Sequence, residues 1–111
     1  MERRQTVRYR LQRPVTFTWR DRKGTTRKEA GFTRDIGTSG LYILSSRRPP
    51  VGTRLQLDIV LPFARNAPSP IARLRTTASV VRAGKMNEER GFAARGDLGR
   101  VASAWSQKKA V

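Results

Sequence analysis

The chain carries 24 lysines and arginines against eight acids over 111 residues, a formal charge of +16, and contains neither cysteine nor histidine. One domain with a modest core fits that length, while disulfides, thiolate metal sites and histidine-assisted nucleophiles are excluded. The charge favours a polyanionic or phosphorylated partner. The acids are scattered, with only Glu88 and Glu89 adjacent, so nothing marks a paired-carboxylate centre and the chain is expected not to be an enzyme.

Residues 1–13 read as a flexible basic segment, with arginine at 3, 4, 8, 10 and 13 and little apolar surface to bury. A single domain over residues 14–111 follows. Val15, Phe17 and Trp19 alternate with Thr16 and Thr18, the period of a strand with one buried face. Asp21-Arg22-Lys23-Gly24 is a hairpin-turn sequence leading to a second, highly charged strand over 25–34. Gly40 to Leu44 is a third strand, and Pro49-Pro50-Val51-Gly52 breaks the chain after it.

The clearest strand follows, with Leu55, Leu57, Ile59 and Leu61 on one face, closed by Pro62 and a proline-containing loop over 64–70. Thr76, Thr77, Val80 and Val81 favour another strand within 71–82. A turn over 84–89 precedes a last strand near 91–95. Val101, Ala102 and Trp105 then have helical spacing, which predicts a short C-terminal helix. Six short strands with turns between them define an all-β antiparallel sandwich or barrel. No stretch is long and apolar enough to span a membrane and no signal-type region follows the N-terminus, so a cytoplasmic protein is expected.

Two short motifs carry the functional signal. Arg4-Gln5-Thr6-Val7-Arg8 is an Arg-x-x-x-Arg ahead of the first long strand. Its guanidinium forks could grip the O6/N7 edge of guanine or clamp a phosphate. Asp35-Ile36-Gly37-Thr38-Ser39-Gly40 places an acid five positions before a glycine, in a turn where backbone could approach a ligand closely.

In this order and spacing the two motifs resemble the paired signature of PilZ domains, which bind the bacterial second messenger cyclic di-GMP. The run Arg8-Tyr9-Arg10 before Pro14-Val15, the turn Pro49 to Thr53, and Arg90-Gly91-Phe92-Ala93 after Val80-Val81-Arg82 extend the likeness over roughly residues 2–100. The resemblance implies a six-stranded antiparallel split barrel with a short C-terminal helix. It also implies cyclic di-GMP as a ligand, without cofactor or metal, and an unidentified downstream protein partner.

Under that resemblance Arg4 and Arg8 would hold guanine edges and phosphates, and Arg3 would help hold a second, intercalated ligand molecule. Asp35 would accept from the guanine N1–H and exocyclic amine, and Gly37 and Gly40 would shape the turn. Ligand would order the N-terminal segment, and that ordering would be the signal. The family carries Asp/Asn-x-Ser-x-x-Gly, and Gly37 stands in the serine place. One neutral hydrogen bond is lost there, about 0.5–1.5 kcal/mol.

Plainer readings stand beside this one. Arg3, Arg4 and Arg8 could be solvated terminal charge, Asp35 a turn cap, and Gly40 a structural glycine. The domain could be a PilZ-like interaction module that binds no nucleotide, or a basic barrel that binds nucleic acid. Against nucleic acid, aromatic residues total only 7% and several sit at core-like positions, leaving few for base stacking.

Overall fold

A computed structural model describes residues 8–61, 72–84 and 90–99. Seven strands run in chain order: β1 (Arg8–Arg10), β2 (Pro14–Arg20), β3 (Thr26–Gly37), β4 (Gly40–Leu44), β5 (Arg54–Leu61), β6 (Ala72–Ala83) and β7 (Gly91–Gly96). Every pairing is antiparallel, in the order β3-β2-β5-β6-β7-β4, and β4 returns to β3. These six strands close a barrel, since each of them pairs with two neighbours. β1 continues along the same edge of β3 beyond β2.

The alternation in the sequence becomes the barrel interior. Val15 pairs with Ile59 and Phe17 with Leu57 across β2 and β5, so directly opposed side chains share one face. That face meets Ile36, Leu41, Ile43, Leu55, Val80, Phe92 and Leu98 in one buried cluster. Phe17 anchors it, stacked on Trp19 at 5.7 Å and edge-on to Phe92 at 5.2 Å between ring centroids. Burying a side chain of this size contributes about 1.5–3 kcal/mol.

Two features differ from the sequence expectation. Arg8–Arg10 belongs to the basic lead-in by composition but forms a strand on β3. β3 also runs on to Gly37, which puts Asp35 in a strand and shortens the turn to Thr38 and Ser39. One side chain joins the two differences. Thr33 is fully buried, and its hydroxyl accepts from the Arg13 N–H at 2.9 Å and donates to the Leu11 carbonyl. The Thr33 N–H donates to the Arg13 carbonyl, and the Leu11 N–H to that of Arg34. Backbone groups at the bend between β1 and β2 are thus satisfied, and β1 is held beside the end of β3.

Thr33→Val keeps the shape, removes both side-chain bonds and leaves buried backbone groups unmatched. It is expected to cost about 1–3 kcal/mol of stability, read from the midpoint of a urea unfolding curve.

The C-terminal helix expected from Val101, Ala102 and Trp105 lies outside the described residues. No helix among the described residues is long and apolar enough to cross a membrane.

Candidate functional site

The end of β3 is built by a bulge. Thr33 pairs with Ile43 and Asp35 with Tyr42, which leaves Arg34 as the extra residue. In a regular strand Arg34 and Asp35 would point to opposite faces; the bulge re-aims them to one. Arg34 Nε donates to Asp35 Oδ2 at 2.8 Å, and the Arg34 guanidinium lies 4.0 Å from the centre of the Tyr42 ring. Arg82 approaches the same ring at 5.8 Å. A cation–π contact is worth about 0.5–1 kcal/mol for an exposed cation such as Arg82 and up to about 2 kcal/mol where the cation is desolvated.

Tyr42 sits between Leu41 and Ile43, which both point into the core, so its own ring faces outward. It is nevertheless only 1% exposed. Arginine stems and heads cover it, as long cationic side chains do when they bury their methylenes on an apolar surface. A second bulge, at Val81 between β6 and β7, puts Arg82 opposite Ala93, which in turn pairs with Tyr42.

Register therefore lines up Arg10, Asp35, Tyr42, Ala93 and Arg82 in one row across five strands. One carboxylate stands in a cationic, aromatic-backed row. That combination of acceptor, planar cations and π surface suits a ligand with ring donors and anionic groups.

The structure places the predicted site residues unequally. It brings β1 against the second motif, with Arg8 opposite Gly37 and Arg10 opposite Asp35. Arg3 and Arg4 lie outside the described residues. Gly37 is buried in β3 with an ordinary backbone φ, since Gly24 and Gly52 are the described glycines at positive φ. The turn beyond it is tied down: the Gly96 N–H donates to the Ser39 carbonyl at 3.0 Å, and the Leu98 N–H to that of Thr38 at 2.8 Å.

Gly40 has a packing role. A Cβ there would stand 2.8 Å from the Ala94 carbonyl oxygen, because β4 passes close against β7. Gly40→Ala is expected to destabilise the fold by about 1–3 kcal/mol through this overpacking, measured as a drop in thermal midpoint.

Arg34, Tyr42 and Arg82 were missed in the sequence. Tyr42 carried a readable signal, a large polar-tipped ring at the outward position between two inward aliphatics. Arg34 and Arg82 carried none, because both owe their direction to bulges.

Among the described residues no group of three or more His, Cys, Asp or Glu is placed to hold a metal. A family model for the PilZ domain matches residues 2–98. The chain belongs to the PilZ domain family.

Among solved structures, the Bacillus subtilis inhibitor of motility MotI/DgrA superposes with a TM-score of 0.68 at 18% identity. The match covers 98% of this chain and 51% of that one, so the present chain spans about half its length. At that identity the likeness speaks for the fold alone. No curated protein sequence matches the chain.

Proposed function

We propose that this domain is a non-catalytic receptor for cyclic di-GMP. The observation that carries the reading is the register of β1, which sets Arg8 opposite Gly37 and Arg10 opposite Asp35. The last arginine of the first motif is thereby a neighbour of the second motif, about thirty residues further along the sequence.

In this reading Arg4 and Arg8 grip guanine edges and phosphates, and Arg3 supports a second ligand molecule. Asp35, braced by Arg34, accepts from guanine N1–H and the exocyclic amine. The N-terminal residues ahead of β1 become ordered over the ligand, and the new surface meets a protein partner. The description of the fold neighbour as an inhibitor of motility makes a protein target in a motility apparatus a fitting downstream element.

Gly37, in the family's serine place, favours one second reading, a PilZ module that has lost nucleotide and acts through protein contacts alone. Gly37→Ser separates the two. Gly37 is not at a positive φ, so serine meets no left-handed backbone there, and the substitution is expected to tighten cyclic di-GMP binding by up to about ten-fold. Titration of both forms reads this.

Amide chemical-shift mapping tests the site. Cyclic di-GMP is expected to move the resonances of Arg8 to Arg10 and of Asp35 to Gly40. A pattern that leaves both segments still would remove the proposal.

A further inference from the structure

A cleft of about 560 Å³ opens where β3 begins, away from the Asp35–Gly37 segment where that strand ends. Its floor is apolar: Trp19, Pro50 and Val51. Trp19 packs partly on the core and stacks one ring face on Phe17, while Val51 is 63% exposed. A valine that open, beside a tryptophan and a proline, marks an uncovered apolar surface on an otherwise highly charged molecule.

Both walls are preorganised. In the β2–β3 hairpin the Asp21 carboxylate accepts from the Lys23 and Thr25 N–H groups and from Arg27 Nε, each at 2.9 Å. Those bonds, the Thr25 N–H first and Arg27 next, hold its carboxyl below the usual aspartate range. Gly24, at a φ of 81°, closes the turn. Opposite, the Gly52 N–H donates to Val80 and the Val80 N–H to Thr53, which fixes the Pro50–Thr53 turn onto β6. A rigid cleft does not have to order itself on binding, so a partner loses less entropy there.

The rim is cationic. Arg20, Arg22, Lys23 and Arg27 line the cleft and Asp21 is the carboxylate among its lining residues, a net charge of +3. The geometry points to a docking site for an acidic protein segment carrying one bulky apolar side chain. That side chain would lie on Trp19 and Val51, and flanking Asp or Glu residues would face the rim. Charge complementarity sets the partner's sign and the apolar floor sets its anchor. Trp19 is the one aromatic ring in the lining, and Pro50 and Val51 beside it add no second ring, so successive bases find no continued stacking platform. The inference is independent of cyclic di-GMP, because the cleft and the Asp35–Gly37 segment occupy opposite ends of β3.

The test titrates the full chain with a synthetic peptide of about twelve residues, Asp- and Glu-rich around a single central leucine. Spectra of the ¹⁵N-labelled protein report the Trp19 indole and the amides of Arg20 to Gly24 and Val51 to Thr53. Those resonances are expected to move. Exchanging the leucine for serine, or introducing Val51→Glu, is expected to weaken binding about ten-fold or more. Val51 is solvent-exposed, and an otherwise unchanged spectrum verifies that the variant is folded.

Equal binding by the leucine and serine peptides would overturn the proposal, as would unchanged affinity in Val51→Glu. Occupation of the cleft by an oligothymidine of matched charge would overturn it in favour of nucleic acid.

Discussion

Arg8→Ala is expected to weaken cyclic di-GMP binding ten-fold or more, and Arg4→Ala to do the same. A guanidinium holding a phosphate or a guanine edge makes charge-assisted bonds worth about 1.5–3 kcal/mol, and each 1.4 kcal/mol is a factor of ten in affinity. Stability should change little. Arg8 pairs with Gly37 through backbone groups that alanine retains. Calorimetric titration of the variants together with their unfolding curves reads both quantities. Affinity unchanged in both variants would assign these arginines to solvated charge.

Asp35→Ala is expected to lose both affinity and stability. Affinity falls about ten- to a hundred-fold, because a carboxylate's two oxygens match the two adjacent donors of guanine and alanine offers none. The fold also loses a partly buried pair, since Asp35 and Arg34 side chains are 13% and 27% exposed and bonded at 2.8 Å. Removing the carboxylate leaves the Arg34 guanidinium without that acceptor beside the Tyr42 ring, at a cost of about 1–3 kcal/mol. Asp35→Asn keeps the size and one acceptor oxygen and matches the family's alternative residue. It is expected to fall between wild type and alanine in both measurements. Loss of stability without loss of affinity would make Asp35 a structural residue of the bulge.

The barrel was legible because its signal is local. Val15/Phe17/Trp19 and Leu55/Leu57/Ile59 alternate strictly, and the turns between strands are written in Gly, Pro and Asp. What escaped depends on partners distant in sequence. Arg8–Arg10 has too few apolar residues to announce a strand, and it forms one because Thr33 fixes the bend beside it. The continuation of β3 through Asp35 is likewise set by pairing on both its edges, to β1 and to β4.

For the site, the motif pair was readable as chemistry, but the bulge at Arg34 was not. A one-residue bulge reverses the facing of everything that follows, and no composition rule announces it. Gly40 shows the converse. Its place in the motif is visible in sequence, while the reason for glycine there, an approach to Ala94, is visible only in the fold.

Recognition of a small dianion by its guanine edges, and not of polyanions by net charge, is what separates a cyclic di-GMP receptor from a basic barrel that binds nucleic acid. Calorimetric titration of the wild-type chain with cyclic di-GMP, with GTP and a short single-stranded oligonucleotide as controls, tests it most directly at two salt concentrations. The expected result is saturable binding of cyclic di-GMP that survives added salt, with GTP weaker and oligonucleotide binding collapsing as salt rises. No heat at millimolar cyclic di-GMP, or a salt dependence as steep as the oligonucleotide's, would contradict the receptor reading.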